Sequence, residues 1–177
     1  MIEYLSGHEP DFWEPNPGVQ AHRFALGNVS QAKVGKLPLI AICMNPSNAT
    51  DAQADRTVNR LIEARVEHGY SGWIMLNLYP QRAANARDLT AFNQALSDEN
   101  CAAIERVIRL YGVDEVLGAW GGLKYPVLRT AKREVMALLG RLKVRVFTWD
   151  PLTGKEPRHP NPRGERLAML GPKIYLS

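Results

Sequence analysis

Short apolar runs along this chain alternate with longer stretches in which apolar residues recur at helical spacing. Four of the runs predict buried strands, because each is apolar over a strand's length and ends at turn residues. Runs without hydrophobic-polar alternation are typical of parallel sheets covered on both faces. The predicted strands are residues 37–44, 73–77, 115–120 and 144–149.

The stretches between these runs predict helices. An aspartate at position 51 or 55 can cap a helix that ends near residue 68, and Gly69 follows in the place where a left-handed residue is usual. A second helical region is predicted over 88–111, with a break near Ser97, and a third over residues 126–142. A short strand at 22–26 and a last helix at 164–170 complete the prediction.

This alternation predicts an α/β fold, a three-layer sandwich whose central sheet is mainly parallel, has four to five strands and is flanked by helices. Residues 1–177 are expected to form a single domain. Residues 1–20 are predicted to be an extended N-terminal arm, because three prolines interrupt any regular element there and Phe12 and Trp13 can pack it down.

Composition narrows the class of protein. The two cysteines have no C-x-x-C spacing, which argues against a zinc site, an iron–sulfur cluster or a disulfide framework and favours a reducing compartment. No apolar run is long enough to cross a membrane and no signal-peptide pattern begins the chain, so we expect a cytoplasmic protein without a membrane partner. Dinucleotide-binding, Walker and G-x-S-x-G motifs are absent, and neither a cofactor nor a metal is predicted.

The net charge of +4 is concentrated late in the chain, where basic residues outnumber acidic ones from Arg141 onward. A basic face of this kind could contact phosphates. A solvated surface explains the charge equally well.

Candidate chemistry lies where the predicted strands end. Asn45 and Ser47 follow the first strand, Asn77 ends the second, Trp120 ends the third, and His159 lies in the loop after the fourth. Parallel strands place these ends on one edge of the sheet, where ligands bind in α/β folds. Each residue also has a structural explanation: an Asx turn for Asn45, a cap for Asn77, the core for Trp120 and loop structure for His159. Their common edge favours a pocket.

Four short motifs occur in the order found in the uracil-DNA glycosylase superfamily, which this chain resembles. They are C-M-N-P-S at 43–47, I-M-L-N at 74–77, A-W-G at 119–121 and H-P-N-P at 159–162. The chain also resembles an uncharacterised bacterial family marked by N-P-S-x-A, here 45–49, and P-R-H-P, here 157–160. The second resemblance implies no activity.

The glycosylase resemblance implies a three-layer α/β fold and hydrolysis of an N-glycosidic bond after the nucleotide is flipped into a pocket. It implies that Asn45 orients the attacking water, that Asn77 pairs with the base edge, and that His159 stabilises charge on the departing base. Ser47 and Trp120 would complete the base site, and Arg158 and Arg163 would hold phosphates. The chain departs from the uracil-specific branch, which has an aspartate where Asn45 stands and a tyrosine where Ser47 stands.

The sequence therefore predicts a nucleobase- or nucleotide-binding protein, with glycosylase-like hydrolysis as the specific activity and a nucleic acid or nucleotide as partner. It leaves open whether the protein is an enzyme. One alternative is a non-catalytic module that binds nucleic acid or nucleotides. Another is an interaction protein that docks through Phe12 and Trp13 of its N-terminal arm.

Overall fold

A computed structural model describes residues 2–16, 18, 21–30, 35–162 and 166–176. Within this part of the chain, seven strands form one sheet, three helices cover it, and a 3₁₀ turn spans Ala86–Asp88. In chain order the strands and helices are β1 (Phe12–Glu14), β2 (Ala25–Asn28), β3 (Leu39–Cys43), α1 (Arg56–Glu67), β4 (Trp73–Asn77), α2 (Gln94–Tyr111), β5 (Glu115–Gly118), α3 (Pro126–Leu142), β6 (Arg145–Thr148) and β7 (Ile174–Tyr175).

The strands lie in the order β1-β2-β4-β3-β5-β6-β7. The four strands predicted from the sequence are the central ones, and their pairings are parallel. The predicted sheet of four to five mainly parallel strands was too small, because β1, β2 and β7 extend it by antiparallel pairing. The short strand predicted at 22–26 overlaps β2, which begins and ends later in the chain. Strands β1 and β7 have only three and two residues, which is too short for a hydrophobic period to identify them.

The chain reverses direction across the sheet at β3. It moves from β3 to β4 on one side and then crosses to β5 on the other side. This reversal places α1 on one face of the sheet and α2 with α3 on the opposite face, each packed on its own hydrophobic cluster. The carboxyl ends of strands beside such a reversal are the usual ligand site of open α/β sheets.

Both ends of the described chain pack on the α1 face. The Tyr4 ring stacks on Trp73 with 6.3 Å between centroids, and Leu167 and Met169 are buried in the same cluster. The predicted last helix was wrong for residues 166–170, which are irregular, and residues 164–165 lie outside the described part. Within the predicted N-terminal arm, residues 12–14 form β1, which pairs with β2.

Capping residues define the helix ends. The Asp55 carboxylate accepts a hydrogen bond from the Val58 amide at 2.9 Å, which fixes the first turn of α1. Helix α2 runs through Ser97 without the predicted break and is capped by Gly112, whose φ of 61° lies in the left-handed region that favours glycine. Among the described residues, no helix combines the length and hydrophobicity needed to span a bilayer.

Candidate functional site

A cavity of about 250 Å³ opens at the carboxyl ends of β3 and β4. Its walls come from the end of β3, the loop that follows, the start of α1, the loop after β4 and the loop that carries His159. The lining residues are Cys43, Met44, Asn45, Ser47, Asp55, Thr57, Met75, Ala83, Ala84, Ala86 and His159. Three of the residues singled out from the sequence, Asn45, Ser47 and His159, therefore lie at one cavity.

Asn45 is half-buried, and its side chain joins two loops. Its Nδ2 group donates to the Pro46 carbonyl at 3.0 Å and to the Ala83 carbonyl at 2.9 Å. The bond to Ala83 holds the loop after β3 against the loop after β4, and the bond to Pro46 stays within the first loop, so both donors of the carboxamide are used. The oxygen Oδ1 is the part of this carboxamide that can serve a ligand or a water molecule.

Asn77 ends β4 directly opposite Cys43 of β3. Because side chains alternate along a strand, the Asn77 side chain lies on the same face as Met75, which lines the cavity. Asn77 itself is not among the residues that line the cavity. It is 0% exposed, and neither Nδ2 nor Oδ1 has a hydrogen-bond partner within the described part of the chain. Burying a carboxamide without hydrogen bonds costs free energy, and a ligand that offers a donor and an acceptor would offset this cost.

His159 is held against the end of β5. A Cβ added at Gly121 would lie 3.0 Å from the His159 Cβ, so this glycine allows the imidazole loop to approach closely. The Asn161 amide donates to Nδ1 of His159 at 3.1 Å, which leaves the ring proton on Nε2. Burial lowers the pKa of His159, against the attraction of Asp55. The imidazole is therefore neutral near pH 7 and donates through Nε2.

Asp55 was predicted only as a helix cap, and the structure places it in the cavity wall. One carboxylate oxygen caps α1, and the other can accept from a ligand or from water. Cys43 also lines the cavity, but burial raises the pKa of its thiol, so it remains protonated and is a poor nucleophile. No group of three or more metal-ligating side chains occurs among the residues that the structure describes.

The other predicted site residues lie elsewhere. Trp120 is 0% exposed in the cluster beneath α2 and α3, and its indole N–H donates to Glu156 at 2.6 Å, so it does not line this cavity. Arg158 is half-buried in the loop just before His159. Arg163 lies outside the described residues.

A family model described as "Protein of unknown function (DUF1643)" matches residues 23–161, which is most of the chain. The chain belongs to this family. The match includes both loops of the cavity and the His159 segment, and it confirms the expected membership in an uncharacterised family. No curated protein and no solved structure matched the chain.

Proposed function

We propose that this DUF1643 protein binds the nucleobase of a nucleotide or nucleic acid in the cavity at the ends of β3 and β4. The observation that carries the proposal is the meeting of Asn45, Asp55 and His159 at one cavity, next to a strand end whose buried Asn77 carboxamide has no hydrogen-bond partner within the described part of the chain. Asn77 does not line the cavity, so a base would have to enter more deeply than the open volume to reach it. A carboxamide presents a donor and an acceptor side by side, which matches the paired acceptor and donor on the edge of a base such as uracil. At about 250 Å³, the cavity is slightly smaller than typical pockets for drug-sized ligands and suits a single heterocycle.

Hydrolysis of the N-glycosidic bond is the reaction that the lining residues support best. Asn45 Oδ1 would orient a water molecule, and the free oxygen of Asp55 would accept its proton as the water oxygen bonds to the sugar carbon. The bond between that carbon and the base nitrogen breaks, and its electron pair stays on the base. The Nε2–H of His159 would donate a hydrogen bond to this developing anion. The carboxylate that the sequence comparison found missing at position 45 is thereby supplied by position 55.

The activity can be tested on single- and double-stranded DNA that carries uracil, hypoxanthine or xanthine, with alkali-labile sites as the readout. We expect cleavage by the native protein and a loss of roughly 10²- to 10³-fold in the His159→Ala variant, the range for removing one hydrogen-bond donor to a developing anion. Trp13→Ala is the control, because Trp13 lies on the exposed part of β1. Cleavage that persists in an Asn45→Ala, His159→Ala double variant would refute the assignment.

A binding function without catalysis is the second candidate. The observation that favours it is the use of both Asn45 N–H groups in bonds to loop carbonyls, which is what a purely structural asparagine would do. Binding that weakens steeply with salt, without turnover of any base, would support this function over hydrolysis.

A further inference from the structure

We propose that Arg23 and Arg82 form an anion subsite that takes the phosphate of the nucleotide whose base enters the cavity. This inference rests on the proposed function, because it names a second part of the same ligand. It differs from the phosphate contacts predicted from the sequence, which were assigned to Arg158 and Arg163.

Arg23 is a buried cation with unused donors. It lies just before β2 and is 5% exposed. Its Nη1 group donates to the Ala49 carbonyl, while Nε and Nη2 have no partner within the described part of the chain. A guanidinium has five N–H donors in a planar fork that fits phosphate oxygens, so the unused donors favour an oxyanion.

Arg82 brings a second positive charge to the same place. It lies in the loop after β4, and its Nη2 group donates to the same Ala49 carbonyl at 3.2 Å. Two guanidinium groups therefore share one neutral acceptor. Within the described ranges, neither arginine forms an ion pair with a carboxylate.

The local charge balance disfavours the charged form of Arg23. Burial and the charge of Arg82 lower the pKa of Arg23 to about 10. Asp55 attracts Arg23, but one of its oxygens is engaged in capping α1 and it makes no ion pair with Arg23. The Tyr4 hydroxyl also lies nearby and donates to the Thr50 carbonyl. Asp51 also lies close enough to act on Tyr4, so two carboxylates are near the two cations. Within the described residues neither carboxylate forms an ion pair with Arg23 or Arg82, so the unused Arg23 donors remain without a negatively charged partner.

The arginine pair adjoins the cavity through two short connections. Ala49, which both arginines contact, lies two residues beyond Ser47 in the loop that lines the cavity. Ala83 follows Arg82, lines the cavity itself and donates through its amide to the Pro46 carbonyl at 2.9 Å. Arg82 is half-buried, so an anion can approach this guanidinium from the surface, while the unused donors of Arg23 lie buried behind it. A phosphate joined to a bound nucleoside could therefore reach the guanidinium groups beside its base.

The test compares binding of nucleosides with binding of their 5′-monophosphates by calorimetry. The probes are deoxyuridine, deoxyinosine and deoxyxanthosine, each with its monophosphate, together with inorganic phosphate alone. The variants are Arg82→Gln and, as a control with the same charge change, Arg133→Gln, because Arg133 is exposed on α3. Arg82→Lys keeps the charge but removes the planar fork. Circular dichroism confirms that each variant is folded.

We expect a monophosphate to bind roughly 10- to 100-fold more tightly than its nucleoside, as hydrogen bonds to charged groups imply. Arg82→Gln should abolish this preference, Arg82→Lys should reduce it, and Arg133→Gln should leave it unchanged. Equal binding of nucleoside and monophosphate would overturn the subsite and leave the proposed function standing, as would a preference that persists in folded Arg82→Gln. If inorganic phosphate binds, loses its binding in Arg82→Gln, and no nucleoside binds, the result would support the subsite and contradict the nucleobase proposal. Failure of every probe to bind would overturn both.

Discussion

Replacing Asn77 by leucine should make the protein more stable while it abolishes nucleobase binding. Leucine has the branched shape of asparagine, and it replaces two polar atoms that are fully buried without partners. Relief of one such group is worth about 1–3 kcal/mol. For a chain of this size, each kcal/mol moves the Tm by about 2–4 °C, so we expect a rise of about 2–12 °C.

Asn100 offers a matched control for this substitution. It is also 0% exposed, but its Nδ2 group donates to the carbonyls of Asn77 and Leu78 at 2.9 and 3.2 Å. Asn100→Leu would leave these buried carbonyls without those donors and should lower the stability by at least about 1–3 kcal/mol. The same chemical change is therefore expected to have opposite signs at two neighbouring positions.

Thermal unfolding followed by circular dichroism measures both variants, and calorimetry with nucleosides measures the loss of binding in Asn77→Leu. A lower Tm for Asn77→Leu would refute the reasoning. It would mean that the folded protein already satisfies this carboxamide, and the main argument for base recognition would fall.

Three further predictions concern the walls of the cavity. Asp55→Ala should lower the free energy of unfolding by about 0.5–2 kcal/mol in urea titrations, whereas Asp55→Asn should keep the cap; equal losses would contradict the capping role. Gly121→Ala should lower the free energy of unfolding by roughly 1–2 kcal/mol for the left-handed φ and by a further amount for the close approach of the new Cβ to His159. Gly112→Ala should lower it only by the first amount, because a Cβ there would meet open space. Equal losses in the two variants would show that His159 moves aside at little cost. Because burial lowers the pKa of His159, the unfolded chain binds its proton more readily, so stability should fall as pH drops below the ordinary histidine value of about 6.5. His159→Gln should reduce this loss of stability at low pH. A slope of Tm against pH that is the same in the variant and the native protein would contradict a lowered pKa for His159.

The local parts of the fold could be predicted because their signals are short-range. Strand β4 occupies the predicted residues, and the cap and the stop of α1 are the predicted Asp55 and the glycine after His68. Of the three antiparallel strands, only β2 was predicted in part, by the short strand at 22–26 that overlaps it. Strands β1 and β7 could not be predicted, because they depend on pairing with a distant strand rather than on their own pattern. In β7 both residues are exposed, so no hydrophobic signal marks it.

The candidate site also contains residues that the sequence predicted and residues that it did not. The shared sheet edge brought Asn45, Ser47 and His159 to one cavity, as parallel topology implies. Trp120 ends on the other face, because residues at strand ends share an edge without sharing a face, and the register that decides the face is a tertiary property. Asp55 was missed since a capping role already explained it. Arg23 and Arg82 carry no sequence signal, because only folding brings them to the same carbonyl.

The packing of both chain ends on the α1 face has a consequence for folding during synthesis. The carbonyl of Leu167 accepts from Arg60 and that of Met169 contacts Nε2 of His68, so the outer surface of α1 is completed by residues made about a hundred positions later. A ribosome-bound chain that has released β3, α1 and β4 still exposes apolar surface on that face. We expect this intermediate to need protection from aggregation until the last strand has emerged, because exposed apolar surface makes such species self-associate.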